Sequence, residues 1–352
     1  MSYLVELRRQ EKFPLTSSHC HSSGKFLRAI IEATIASRLD LSSVSSTFCL
    51  ADLGNSSGPR TFNYVQNILE AFENKLRIRG LHQDPDQMPD LQVFFTYLPA
   101  DDFNVQYLSL PPQRQYFSAV VPGSLHTRLF PKSSLHFIHS SYALQWLSQA
   151  PQAVVDQDSP AWNKGRVHYT NAPQEVCKAF ATQFAKDMGA FLDARAKELT
   201  DGGLMLLLLP SIPDETYRSR EPMGLMFDHL GSCLMDMARE GLVREYEVDT
   251  FNIPIYAATP KEMTEIIERN RYFSIERMDS TITTSPSYDR SSGHIFMTCL
   301  RAGMEDFISK HFGVTIIDEL FDRFWEKIDN MIHTMQSKNC QGSQLAVFLK
   351  RN

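Results

Sequence analysis

The residues best placed to do chemistry together are Ala51-Asp52-Leu53-Gly54-Asn55-Ser56-Ser57-Gly58-Pro59, directly after the apolar run Phe48-Cys49-Leu50-Ala51. Glycines after a strand let backbone amides approach a ligand, and in open α/β sheets ligands gather at the carboxyl ends of strands. A nucleotide-like ligand is one reading; an ordinary strand-to-helix turn needs the same residues, and the loop alone does not separate the two. The other reactive side chains are less organised. His19, Cys20 and His21 cluster, but no second ligand pair stands at zinc spacing, so no metal is expected. His136 and His139 flank one strand and read as hydrogen-bonded core groups, which leaves His126, after Ser124-Leu125, as the better histidine for a site. No nucleophile elbow is present to support a triad hydrolase.

The elements that must position this loop read as alternating helix and strand. Phe26, Leu27, Ile30, Ile31, Thr34 and Ile35 share one helical face before the first strand. A helix from about Phe62 to Phe72 leads to a second apolar run, Leu91 to Phe95, and a third unit ends in Leu135-His136-Phe137-Ile138. Strands separated by helices predict a parallel sheet covered on both faces. An amphipathic helix follows, with Val176, Phe180, Phe184, Met188 and Phe191 on one side. Asp201-Gly202-Gly203 reads as its stop before the strand Leu204 to Leu209. From Met223 to Glu240, Met and Leu recur at helical spacing. The expected organisation is a sheet domain over 1–210, completed by 290–352, with a mainly helical cap over 211–289. In that scheme the chain returns through Ile295 to Leu300 and ends in the strand Leu345 to Leu349, and Ser280 to Ser292 is a mobile loop.

A length of 352 residues suits one large domain with an appended cap. A net charge of −6 argues against nucleic acid as the main partner, because phosphate binding needs a basic stripe. Six scattered cysteines show neither metal spacing nor secreted-scaffold density, so reduced thiols are expected. The first thirty residues hold no apolar core of signal-peptide type, and the run Leu204 to Leu209 is too short to span a bilayer. A cytoplasmic protein with a small-molecule ligand is the consequence.

Five ordered segments make the sequence recognisable: the loop at 51–59, Leu98-Pro99 through Asp102-Phe103-Asn104, Val121-Pro122-Gly123-Ser124, Ser134 to Ser148, and Asn163-Lys164-Gly165-Arg166. Together they resemble the SABATH family of plant methyltransferases, which methylate carboxylates or ring nitrogens of small metabolites with S-adenosylmethionine (SAM). Asn163 to Leu209 looks closest to the branch of loganic acid and farnesoic acid methyltransferases. The resemblance implies a Rossmann-like α/β methyltransferase sheet with a helical cap. It implies cofactor contacts at Ser17, Asp52, Gly54, Ser56, Tyr97, Leu98, Ser124, Leu125, Ser140 and Ser141. On the acceptor side it implies Cys20, Gln145, Trp146 and His126, with Tyr142, Phe227, Tyr256 and Leu300 lining a mostly apolar pocket suited to a terpenoid, alkaloid or aromatic ligand. Homodimers are common in the family, so a second copy of the chain is a candidate partner.

The same comparison exposes departures. The family's N-terminal Gly-Gly loop is missing, Phe13 and Thr16 replace its tyrosine and asparagine, and Tyr97 stands at the acidic position that takes the ribose hydroxyls. Hydrogen bonds to a charged partner contribute about 1.5–3 kcal/mol each. These replacements therefore predict weak or lost SAM binding. A SAM-independent cyclase or isomerase, or a non-catalytic binding protein, stand as alternatives to methyl transfer.

Overall fold

The computed structural model describes residues 20–42, 44, 46–54, 59–80, 88–97, 114–213, 220–283, 290–338, 340 and 342–352. Seven strands among them, β1 (Thr47–Asp52), β2 (Asp90–Tyr97), β3 (Phe117–Pro122), β4 (Leu135–Ser141), β5 (Leu199–Ser211), β6 (Phe273–Thr283) and β7 (Gly342–Arg351), form one sheet in the order β3-β2-β1-β4-β5-β7-β6. The strands from β3 across to β5 run parallel, and β7 runs antiparallel to both β5 and β6. The strand order reverses direction between β1 and β4, where the doubly wound topology opens a crevice at the strand ends.

The uninterrupted apolar run of β5 follows from burial on both faces, as parallel sheets require. Leu204, Leu206 and Leu208 enter a core shared with α1 (Cys20–Arg38) and α2 (Pro59–Ile78). Met205, Leu207 and Leu209 enter the opposite core, with α3 (Gln174–Glu198). A third core joins α4 (Pro222–Arg239), α5 (Glu245–Thr250), α7 (Arg290–Phe312), α8 (Ile317–Glu326) and α9 (Ile328–Ser337), while α6 (Pro260–Asn270) packs with α3 on the sheet. Among the described residues, no helix is long and apolar enough to cross a membrane.

The fold is the Rossmann-like methyltransferase sheet with a helical cap, but its parts are divided differently from the expectation. β6 lies inside the stretch assigned to the cap, yet it is the outermost strand of the sheet. Ile295 to Leu300 is helical: Phe296, Leu300, Met304 and Ile308 repeat every four residues and bury one stripe of α7 in the cap core. The cap is thus α4, α5 and α7–α9, and the sheet takes 342–351 and 273–283 as its two last strands. Gly202-Gly203 does not stop α3. The helix ends at Glu198 because Leu199 is already extended, and the glycines fall inside β5, where Gly202 has φ +75° and the pairing with β4 shifts register. Of the loop expected at Ser280 to Ser292, Ser280 to Thr283 belong to β6 and Arg290 to Ser292 open α7. β3 was not anticipated, since only one of its edges is paired and its side chains are largely exposed.

His229 of α4 gives the cap a pH dependence. Its ring meets Phe324 edge-on at 5.0 Å, and burial, aided by the charge of Lys327, lowers its pKa to about 4. The unfolded chain therefore binds a proton below pH 6.5 that the folded chain refuses until about pH 4, so this contribution to stability is full above pH 6.5 and declines as pH falls through that window. Denaturant titrations at pH 7 and pH 4.5 should show the wild type losing more stability than His229→Gln; equal losses would remove His229 as the cause.

Candidate active site

At the crevice, the ends of three strands, β1, β4 and β2, are tied together by polar side chains. Asp52, the last residue of β1, lies opposite His139 of β4, and its Oδ1 accepts from His139 Nδ1 at 2.5 Å. Both side chains are closed to solvent, and His139 Nε2 has no partner. Leu53 N donates to the His139 carbonyl (2.7 Å), and Ser140 Oγ donates to the Leu53 carbonyl (2.6 Å). Gly54 N donates to Thr96 Oγ1 of β2 at 3.2 Å. A Cβ on Gly54 would lie 3.4 Å from Ala143 Cβ and 3.5 Å from the Ser141 carbonyl, so a bare backbone faces the turn after β4. The Asp52 and Ser140 side chains, expected as cofactor contacts, are spent on holding this corner. Thr96 was missed by sequence reasoning, although it directly precedes Tyr97.

The acceptor side is built on the turn after β4. Tyr142 adopts φ +51°, its N–H donates to the Leu208 carbonyl (2.8 Å), and its hydroxyl donates to Gln344 Oε1 of β7. Gln145 Nε2 donates to the Tyr142 carbonyl at 2.7 Å, which fixes the amide orientation and leaves Oε1 buried without a partner. Trp146 bridges to Ile255, Leu147 N donates to the Pro254 carbonyl (2.8 Å), and Tyr256 N donates to the Gln145 carbonyl (2.9 Å). Trp146 itself is half-buried against the cap core. The structure thus places Tyr142, Gln145 and Trp146 in one turn, which begins at Ser141 against Gly54 and ends on Ile255 of the segment before α6.

Three expected pocket residues stand elsewhere. Phe227, Tyr256 and Leu300 are 0% exposed. A side chain without accessible surface touches no water-sized cavity. Phe227 and Leu300 pack inside the cap core, and Tyr256 sits among Tyr169 and Phe184 with its hydroxyl on Glu262 Oε1 at 2.7 Å.

The loop after β3 carries Ser124, Leu125 and His126. Ser124 is exposed and its Oγ accepts from His126 N at 3.3 Å. His126 Nδ1 lies 3.4 Å from the Asp187 carbonyl, so the ring is directed at α3. Cys20 opens α1 and Tyr97 closes β2 opposite Pro122, but the side chains of both lie outside the described residues, as do Phe13, Thr16, Ser17, Ser56 and Leu98.

The Asn163-Lys164-Gly165-Arg166 motif proves to be a clasp between sheet and cap. Asn163 Nδ2 donates to Asn252 Oδ1 (2.7 Å) and to the His168 carbonyl (3.2 Å). Gly165, at φ +69°, donates its N–H to Asp249 Oδ1 (2.7 Å). His168 Nε2 reaches the Ile255 carbonyl at 3.1 Å and thereby ties this segment to the partner of Trp146.

Comparison with known proteins accounts for the arrangement. Residues 15–352 match the model of a family described as SAM dependent carboxyl methyltransferase. The loganic acid O-methyltransferase of Catharanthus roseus is 37% identical over 348 residues, covering 96% of this chain and 91% of the relative. Paraxanthine methyltransferase 2 of Arabidopsis thaliana is 37% identical over 339 residues, covering 94% and 95% respectively. A solved structure of loganic acid methyltransferase with SAH superposes with a TM-score of 0.84 at 37% identity, covering 92% of each chain.

These findings overturn the expectation that the replacements at Phe13, Thr16 and Tyr97 leave SAM binding weak or lost. The matched family is SAM-dependent across the stretch that contains Thr16 and Tyr97, and a protein of the same fold at this identity was solved with SAH. The physical reason lies in the corner itself, where Asp52, Thr96 and Ser140 hold the backbone of Leu53 and Gly54 through bonds that do not involve residues 13, 16 or 97. With the loss of cofactor set aside, the SAM-independent and non-catalytic alternatives lose their basis. The chain belongs to the SABATH-type family of plant SAM-dependent small-molecule carboxyl methyltransferases.

Proposed function

We propose that the chain transfers a methyl group from SAM to the carboxylate of an apolar plant metabolite, of terpenoid or aromatic type. The observation that carries the reading is the turn after β4, whose Ser141 carbonyl and Ala143 pack against the bare backbone of Gly54 and which runs on into Gln145, with a buried, unpartnered amide oxygen, and Trp146. An adenosyl group fits such strand ends, because Gly54 puts no side chain at the mouth of the crevice between β1 and β4.

Bound SAM supplies an electrophilic methyl group. The chain has to position the acceptor in line and exclude water. A carboxylic acid is already ionised at neutral pH, so no general base is required. This agrees with the use of the neighbouring histidines, His139 on Asp52 and His126 against α3. Gln145 Oε1, held by the Nε2 bond to Tyr142, would accept from a donor on the acceptor molecule, and Trp146 would form the apolar wall.

Incubation with SAM labelled in its methyl group and a panel of apolar carboxylic acids tests this. Base-labile label in the organic phase is the expected result; alkali-stable label would indicate nitrogen acceptors, and no transfer to any acid would overturn the reading. Trp146→Phe should lower turnover about tenfold, the loss expected where the indole N–H donates to the acceptor carboxylate. Trp146→Ala should lower it further, with circular dichroism unchanged. Wild-type rates in both variants would place the acceptor elsewhere.

A further inference from the structure

We propose that the buried Arg195–Glu198 pair is a positioning device for the loop after β3, and through that loop sets affinity for the adenosyl cofactor; this rests on the cofactor reading above. Both side chains are 0% exposed at the end of α3. Arg195 Nε donates to Glu198 Oε2 at 2.7 Å and Nη2 to Oε1 at 2.9 Å, a bidentate pair. Among the described residues, the pair's other side-chain hydrogen bonds go to one loop, and the Arg195 guanidinium lies over the Phe191 ring at 5.2 Å. Arg195 Nη1 donates to the Leu125 carbonyl (3.0 Å) and Nη2 to the Thr127 carbonyl (2.9 Å), while Glu198 Oε1 accepts from Leu129 N (2.5 Å) and Phe130 N (3.0 Å).

Other ties hold the loop as well, His126 Nδ1 lying 3.4 Å from the Asp187 carbonyl and the Ser133 and Ser134 amides donating to the Lys197 and Glu198 carbonyls (3.0 and 2.9 Å), while the pair meets its middle, from Leu125 to Phe130. Within it Thr127 N donates to the Ser124 carbonyl (3.1 Å), and Gly123 at φ +146° turns the chain so tightly that a Cβ there would lie 2.5 Å from Leu129 Cδ2. Its tip, Ser124-Leu125, begins two residues after Pro122, which pairs with Tyr97 at the end of β2. A buried ion pair is an expensive way to join two elements, and well-packed apolar residues of similar volume hold them equally well or better. What apolar residues cannot do is satisfy two carbonyls and two amides of an irregular loop. The pair is therefore explained by the loop it holds, and not by the helix that carries it.

The double variant Arg195→Met/Glu198→Leu separates the two roles. It removes both charges together, so no unpaired charge is left in the core, and the variant should fold with wild-type circular dichroism while the freed loop groups turn to water. Calorimetric titration with SAH should nevertheless show at least tenfold weaker binding, and the Leu129 and Phe130 amides should exchange with solvent at least a hundredfold faster. Wild-type SAH affinity, within twofold, in a folded double variant would overturn the proposal. If the double variant does not fold, Arg195→Lys keeps the charge but lacks the fork, and an SAH affinity unchanged there would overturn it equally. A wild-type chain that bound no SAH would instead sink the cofactor reading, and amide exchange would still decide whether the pair holds the loop.

Discussion

Gly224→Ala is expected to destabilise the chain by about 3 kcal/mol, a large effect for one added methyl group and at the upper end of what overpacking costs. Gly224 is buried near the start of α4, and a Cβ there would lie 2.8 Å from Thr170 Cγ2 and 3.0 Å from Thr170 Cβ, with Oγ1 closer still. Thr170 cannot swing aside freely, because its Oγ1 bonds His168 Nδ1 at 2.6 Å. Nor can the helix retreat at this point, since its first amides, of Met223 and Gly224, are capped by the Glu221 carboxylate. Guanidinium unfolding of Gly224→Ala, Thr170→Ala and the double variant forms a cycle. The double variant should regain about half of the loss, a coupling of about 1–2 kcal/mol of the kind neighbouring residues show. Additive losses, or a cost of Gly224→Ala below about 1 kcal/mol, would mean that cap and sheet meet less tightly than this.

Asp52→Ala carries the second large expectation: a loss of about 3 kcal/mol together with at least tenfold weaker SAH binding. It leaves His139, fully buried, with neither ring nitrogen partnered, and removing one member of a buried pair costs about 3–5 kcal/mol when both are charged. The same corner carries Leu53 N on the His139 carbonyl and Ser140 Oγ on the Leu53 carbonyl, so a displaced His139 loosens the approach to Gly54. Asp52→Asn keeps an acceptor of the same shape and should recover most of the stability. Equilibrium unfolding and SAH titration on the two variants check this, and an Asp52→Ala chain as stable as the wild type would remove the pair from the architecture of the site.

Much of the site was legible as a place, and less of it as a set of contacts. The loop after Asp52, the turn ending in Gln145-Trp146 and the segment at Ser124 are legible in the sequence as segments, and the structure sets Gly54 against Ala143 and the Ser141 carbonyl, with Gln145 bonded to Tyr142 in the same turn. The pocket residues Phe227, Tyr256 and Leu300 did not follow, because an apolar residue on a helical face reads the same whether it lines a cavity or fills a core. The expectation of cofactor loss rests on Phe13, Thr16 and Tyr97 one side chain at a time, whereas the corner is held by Asp52, Thr96, His139 and Ser140, which none of those replacements touches. The outer strands β3 and β6 were missed because single-sided pairing leaves no continuous apolar run.

The amino-acid sequence by itself determined the alternation of helix and strand and the two-faced burial of β5, because periodicity of apolar residues is a local property that each segment carries alone. Only the tertiary structure decided which polar groups meet. Gly54 finds Thr96 at a separation of 42 residues, and Asp52 finds His139, as Leu53 finds Ser140, at 87. Such pairings depend on which strand lies beside which, and that order is set by the packing of the whole sheet, of which no single segment holds a record.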